Sequence, residues 1–363
     1  MRNPCKINKR LGEIELLRFV FAFIVLVHHS RFLVGDSVAY FLKGSFAVEF
    51  FFLVSGYLLM KSIDKMTGQK GNLAEDTFTF ISKKYLSVFP AVLISWIIGV
   101  VATSVIKDVS IPFLAAEGVW ELFLVQMCGL GMNTEINSAT WYLSSMLLCM
   151  AILYPLLRRY KTAALKIIVP IVSLLLLGWM FKTFGSPRNP TAWTGFTYRG
   201  NIRAFAEIGL GTTCYWITKN LSAVNFNRTA SVFLTILKWF CYVAVILHMY
   251  VPFPVTYDFL FIAVLMVAIS LSFSQKGIDA KWYNNTVVYF LGDLSLYMFL
   301  CHYYWNFLLG ELLPNDLSVE QKTLIYIAVS FITALVVMTV CKLWERNKKA
   351  IFSLCKKCFL TKD

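Results

Sequence analysis

The sequence predicts an all-α polytopic membrane protein with about ten transmembrane helices and with both the N- and C-termini cytoplasmic. Of the 363 residues, 58% are hydrophobic and 15% are charged, whereas soluble domains average about 45–50% apolar and about 25% charged residues. Apolar stretches of about 20 residues, the length that crosses a bilayer, recur from Ile14 to Trp344. The net charge of +14 lies mostly in alternate connecting segments, as the positive-inside rule expects of cytoplasmic loops.

Ten apolar segments have the length and the low charge content that a spanning helix requires. In chain order they are 14–34, 43–60, 85–106, 140–157, 164–182, 200–217, 231–251, 256–274, 286–310 and 323–345. Residues 113–131 are interrupted by Glu117, Glu121 and Gln126, so we expect a re-entrant or interfacial segment there. Counting this segment as an eleventh span would invert every later loop and remove the charge bias.

Topology accounts for most of the 34 Lys and Arg residues. Because the chain shows no zinc-finger or basic-helix pattern, we expect membrane lipid and no nucleic acid as a partner. The transmembrane domain is expected to cover residues 1–345, and residues 346–363 are expected to form a short basic cytoplasmic tail. Cys355 and Cys358 in this tail make half a zinc site at most, so no metal is predicted.

The first span carries the densest set of ionisable side chains, namely Glu15, Arg18, His28 and His29. Each charge inside a bilayer costs at least ~2.5–3.5 kcal/mol on insertion scales and therefore needs a reason. At about 100° and about 1.5 Å per residue, Arg18 and His29 share a helix face and lie about 16 Å apart. In the competing explanation, Arg18 extends to the inner surface and His29 belongs to a polar patch near the outer surface.

Polar residues in the second and third spans also need an explanation. Glu49 lies among phenylalanines, where a carboxylate is expected to require a cationic partner. Ser55 and Gly56 are small and allow another helix to approach closely. Lys83 and Lys84, at the cytoplasmic end of the third span, could set topology, bind anionic lipid or contact the phosphates of a nucleotide-like donor.

The later spans hold further polar side chains in three groups: Trp141, Tyr142 and Ser144; Arg203 and Glu207; Ser295 and His302. The first group combines the aromatic residues typical of an interface with a hydroxyl that could face an outer substrate. The second group has the i, i+4 spacing of an ion pair. The third group places a hydroxyl and an imidazole seven residues apart, on similar faces of one helix.

Taken in chain order, these elements resemble the acyltransferase-3 family of membrane O-acyltransferases. The resemblance covers nearly the whole chain and is carried by five segments: Glu15-Leu-Leu-Arg18 through His29, Glu49-Phe-Phe-Phe-Leu-Val-Ser55-Gly56-Tyr57, Trp141-Tyr-Leu-Ser144, Arg203 to Glu207 and Gly211, and Gly292 to Ser295, Tyr297 and His302. The family usually has an Arg-x-x-Arg pair before the proline of the third span. Lys84 and Ser87 occupy the matching positions here, and Met146 stands where the family often has Glu.

The resemblance implies transfer of an acyl group, usually acetyl, from cytoplasmic acyl-CoA to a hydroxyl of a glycan or lipid-linked saccharide in a bacterial cytoplasmic membrane. His29 would be the general base or a transient acyl carrier, because imidazole titrates near neutral pH. Glu49 or another acid would orient it. Arg18, paired with Glu15, would hold the acyl-CoA or position the catalytic site, and Lys83 and Lys84 would contact the phosphates of the acyl-CoA. The acceptor cavity would be formed by Trp141, Tyr142, Ser144, Arg203, Glu207, Ser295 and His302.

A transporter or flippase of an envelope metabolite or lipid-linked sugar is the main alternative. Such a protein also buries charges in several spans. Transporters more often show paired halves with interrupted helices, and no such halves are visible in the sequence. A membrane sensor or scaffold would have no need for His29 on the same face as Arg18.

Overall fold

The computed structural model describes residues 10–36, 40–66, 71–130, 136–251, 253–279 and 281–360, with side chains as far as residue 347. Throughout these ranges the chain is helical with short connections, and no strand is present apart from an isolated bridge between Trp193 and Tyr198. The predicted all-α membrane fold is therefore confirmed. The side chains of Cys355 and Cys358 lie outside the described residues.

The α-helices are numbered in chain order, and their bounds follow. They are α1 Gly12–His29, α2 Arg31–Val34, α3 Ala47–Lys65, α4 Leu73–Lys107, α5 Ile111–Glu117, α6 Val119–Leu122, α7 Trp141–Arg159, α8 Lys161–Ala163, α9 Val169–Phe184, α10 Arg199–Ala223, α11 Arg228–Tyr250, α12 Asp258–Ser274, α13 Thr286–Cys301, α14 Tyr303–Leu312 and α15 Val319–Leu360. A π-helical segment at Ala164–Ile168 connects α8 to α9.

Each of the ten predicted spans coincides with a helix or a helix pair in the described chain, and eight are long and apolar enough to cross a membrane. The sixth, α10, is long enough but carries Arg203 and Glu207 in its interior. The ninth is broken at His302 into α13 and α14. Between residues 113 and 130 the chain forms only short helices, so the expectation that no continuous span lies there is confirmed.

Helices α3 and α10 form a close contact at the centre of the bundle. Gly56 and Gly211 face each other there: a Cβ atom on Gly56 would lie 1.9 Å from the Ile208 carbonyl oxygen, and one on Gly211 would lie 2.2 Å from the Leu53 carbonyl oxygen. The close helix approach expected beside Ser55 is thus present. It positions α3 and α10 so that their polar side chains meet.

We expect Gly211→Ala to lower the free energy of unfolding by about 1–3 kcal/mol, because the added methyl group overpacks a backbone contact. The matched control is Gly178→Ala in α9, where a Cβ atom would meet nothing within 4 Å. Thermal unfolding in detergent should show a lower midpoint for the first variant and an unchanged or higher one for the second. Equal midpoints for both variants would contradict this packing.

The N-terminal end of α1 is held by two ion-pair clusters. In one, the ammonium group of Lys238 lies 2.8 Å from Glu13 and 2.9 Å from Asp279, which explains how a lysine is accommodated inside α11. Burial by itself would raise the pKa of Asp279, but the Trp239 indole and the Lys238 ammonium hold that pKa below its usual value. In the other, Arg10 bridges Glu15 and Asp293.

Candidate active site

Two cavities lie along α1, and the one beside Arg18 is named the inner cavity because that end of α1 is predicted to be cytoplasmic. It measures about 200 Å³, and its lining combines cationic, hydroxyl and aromatic side chains, among them Arg18, Ser55, Lys84, Tyr142, Ser295 and Phe299. Arg18 is 37% exposed, and its guanidinium is 3.6 Å from Glu15. Lys83, although adjacent in sequence, is exposed and does not line the cavity, so the structure brings only one of the two predicted lysines to it.

The outer cavity measures about 410 Å³ and lies at the opposite end of α1. Its lining is rich in imidazole, guanidinium and hydroxyl groups and includes His29, Arg31, Ser45, Trp141, Arg188 and Arg203. A cavity of this size with a few convergent polar groups is typical of a small-ligand site. Arg18 lines one cavity and His29 the other. The two residues are about 16 Å apart along α1, as their separation in the sequence predicts.

A thin aromatic layer separates the cavities. Val48 of α3 and Trp141 of α7 line the outer cavity. Phe51, about one turn after Val48, and Tyr142, the residue after Trp141, line the inner cavity. The Tyr142 ring packs against Phe299, with 5.6 Å between the ring centroids. Residues one turn or less apart on α3 and on α7 thus line different cavities, so the two cavities are neighbours along these helices.

His29 is half-buried at the outer cavity and contacts His302, which is fully buried. The Nδ1 atom of His302 is 2.8 Å from the Phe299 carbonyl oxygen, so it carries the proton and leaves Nε2 as an acceptor. That Nε2 lies 3.2 Å from Nδ1 of His29, which is also 2.8 Å from the Val25 carbonyl oxygen. This network assigns the proton of His29 to Nδ1 and leaves its Nε2 with a lone pair that can accept a proton.

The break between α13 and α14 is what brings His302 to His29. A helix end leaves backbone carbonyl groups without intrahelical donors. The Leu300 carbonyl accepts hydrogen bonds from Ser95 Oγ at 2.7 Å and from Asn137 Nδ2 at 2.5 Å. The imidazole of His302 donates a hydrogen bond to the Phe299 carbonyl. Side chains of α4 and of the segment before α7 therefore stabilise the break at Leu300.

Glu49 was expected to orient His29, but the structure pairs it with Arg203 instead. Both of its carboxylate oxygens are bound by Arg203, at 2.5 Å from Nη2 and 3.2 Å from Nε. Arg203 also donates to Glu207 at 3.2 Å, and all three side chains are buried. The cationic partner predicted for Glu49 therefore exists. It is Arg203 of α10, which is too distant in the sequence for local pattern to identify it. The groups that hold the His29 ring are the Val25 carbonyl and His302.

The residues predicted to surround the acceptor do not lie in one cavity. Trp141 and Arg203 line the outer cavity, whereas Tyr142 and Ser295 line the inner one. His302 contacts His29, and Glu207 lies behind Arg203. Ser144 is buried and accepts a hydrogen bond from the Met127 backbone N–H at 3.2 Å, so its hydroxyl is engaged in local structure.

Sequence reasoning missed Arg31 and Arg188, which both line the outer cavity. It also assigned no role to His248, whose Nε2 lies 2.8 Å from Asp258. The predicted topology could have identified the two arginines. It places Arg31 and Arg188 on the outer side, where the positive-inside rule disfavours cations. A cation on the disfavoured side of a membrane is a candidate for function.

Comparison with known proteins supports the fold and the class of reaction. The family model described as an acyltransferase domain, that of the acyltransferase-3 family, matches residues 11–343. Neither a curated protein nor a solved structure gives a significant match. Because the matched region covers nearly the whole chain and includes both cavities, the chain belongs to the acyltransferase-3 family of membrane acyltransferases.

Proposed function

We propose that the protein transfers an acyl group, acetyl in the simplest case, from acyl-CoA on the cytoplasmic side to a hydroxyl of a glycan or lipid-linked saccharide on the outer side of a bacterial cell membrane. The observation that carries this proposal is the position of His29 in the outer cavity, one aromatic layer away from a cavity that holds Arg18 and Lys84. The family membership supports acyl transfer in general.

The inner cavity has the chemistry that an acyl-CoA needs. Arg18 and Lys84 provide positive charge for phosphate groups at its edge, and Phe51, Val54 and Leu58 provide an apolar wall. Arginine can bind a phosphate with two parallel hydrogen bonds, whereas lysine meets it as a point charge. The pantetheine arm would run from these cations toward the aromatic layer and present the thioester to the outer cavity.

In the transfer step, Nε2 of His29 accepts the proton of the acceptor hydroxyl while that oxygen attacks the thioester carbonyl carbon. The new carbon–oxygen ester bond forms, and the carbon–sulfur bond breaks. The thiolate of CoA leaves with the proton that His29 had accepted. His302 keeps the imidazole of His29 in the required tautomer throughout.

We expect Lys84→Gln to raise the KM for acetyl-CoA about tenfold with little change in kcat, since a charged contact to phosphate contributes about 1.5–3 kcal/mol before solvent screening. Lys83→Gln is the matched control, because the adjacent side chain is exposed and outside the cavity. Steady-state release of CoA measures both variants. A larger effect for Lys83→Gln would place the donor elsewhere.

The direct test uses the purified protein in lipid nanodiscs with acetyl-CoA labelled in the acetyl group. Release of free CoA and transfer of label to the host's surface glycans, read by mass spectrometry, would support the proposal. The same protein in sealed vesicles tests the alternative. Uptake of a labelled saccharide without CoA release would identify a transporter and contradict an acyl transfer function.

A further inference from the structure

The outer cavity is cationic in a way that the transfer step does not require. Its lining includes Arg31, Arg188 and Arg203, and no aspartate or glutamate belongs to the lining in the part of the chain that the structure describes. Proton transfer to His29 needs none of these three guanidinium groups. Their presence therefore concerns what the cavity binds.

The three arginines differ in how far their charge is already compensated. Arg203 is 2% exposed and is held by Glu49 and Glu207 through close hydrogen bonds. Arg31 and Arg188 have carboxylates only at 3.6 Å and 3.4 Å, those of Asp36 and Asp258.

The buried nitrogens of these two arginines still lack hydrogen-bond partners. Among the described residues, Nε of Arg31 and both Nε and Nη2 of Arg188 make no hydrogen bond, although the two Nε atoms face the carboxylates of Asp36 and Asp258. Leaving hydrogen-bonding capacity unused on a guanidinium is costly, and both groups line the cavity, so acceptor oxygens of a ligand that approach them from the cavity would be favoured.

The position of Arg188 is fixed by buried groups rather than by the flexible surface. Asp258 is fully buried and binds both Arg188 and, at 2.8 Å, His248. Arg199 donates to the Arg188 carbonyl at 2.8 Å and lies over the Phe184 ring, 3.9 Å from its centroid. Arg199 thereby restrains the backbone of Arg188, and Asp258 restricts its guanidinium beside the cavity before any ligand arrives, which lowers the entropy cost of binding.

We infer that the outer cavity recognises an acceptor saccharide that carries an oxyanion, a carboxylate or a phosphate, through Arg31 and Arg188. Guanidinium groups bind both kinds of oxyanion with two parallel hydrogen bonds. The inference rests on the proposed function in that it takes the ligand of this cavity to be the acceptor. In this assignment Arg188 is a binding residue, Asp258 and His248 are its positioning residues, and His29 remains the base.

The test measures binding without turnover, in the His29→Gln protein in nanodiscs, by isothermal titration with glucose, glucuronate and glucose 6-phosphate as probes. We expect at least one of the two anionic sugars to bind ten or more times more tightly than glucose.

Arg188→Gln and Arg31→Gln should each remove most of that preference for the anionic sugar. Arg188→Lys, which retains the charge next to Asp258, should keep part of it and shows that the fold is intact. Arg228→Gln, at an exposed position at the start of α11, should have no effect.

Equal affinities for the three sugars, or a preference that survives both arginine variants, would overturn the inference. A second arm compares acetyl-CoA with succinyl-CoA as donors for the protein with His29 intact. If Arg188→Gln impairs turnover only with succinyl-CoA, the anion recognised belongs to the acyl group and the acceptor assignment is wrong. If anion binding is confirmed but no acyl donor is ever turned over, the proposed function fails while the anion site stands.

Discussion

His29→Gln is expected to lower kcat by about 10²–10⁴-fold, the range in which a positioned general base contributes. Glutamine is similar in size and can still donate to the Val25 carbonyl, but it has no nitrogen that accepts a proton near neutral pH. The KM for acetyl-CoA should change little, because His29 lies in the outer cavity and the donor phosphates would lie beside Arg18. Initial rates of CoA release, with the amount of inserted protein measured in parallel, provide the comparison.

The adjacent residue supplies the matched control for this variant. His28 is 3% exposed, and its Nδ1 lies 2.7 Å from the Phe41 carbonyl oxygen, so glutamine could retain the hydrogen bond. We expect His28→Gln to keep most of the activity. A fully active His29→Gln protein, or equal losses in the two variants, would mean that the imidazole of His29 is not the base.

Arg203→Leu is expected to be the most damaging substitution for stability, at about 3–5 kcal/mol, the usual cost of removing one partner from a buried ion pair. It would leave the carboxylates of Glu49 and Glu207 facing each other in a site where both are buried. Loss of inserted protein and a lower unfolding midpoint in detergent are the measurements.

The triple variant with Arg203→Leu, Glu49→Gln and Glu207→Gln separates charge from shape. Removing all three charges together should recover much of the lost stability, because buried ion pairs replaced by neutral groups of similar volume are often close to neutral in free energy. A single Arg203→Leu variant as stable as the unmodified protein would show that this triad is not a buried ionic cluster.

Helix positions and the residues of α1 were predictable because both depend on local pattern. Arg18 and His29 lie on one helix, so a rise of about 1.5 Å and a turn of about 100° per residue determine their relation. The tertiary pairings were not predictable in the same way. Glu49 finds Arg203 on α10, and Lys84 but not Lys83 reaches the inner cavity, because the rotation of each helix depends on which helices pack against it.

The sequence alone determined that this chain is a helical membrane protein and that it belongs with membrane acyltransferases, since apolar span length and ordered local motifs need no tertiary information. Tertiary structure alone decided how the polar residues divide between two cavities, that His302 rather than Glu49 holds His29, and that Arg188 lies beside the outer cavity. The physical reason is that contacts between distant helices depend on close approach, as at Gly56 and Gly211, and on a helix break at His302 that no local pattern specified.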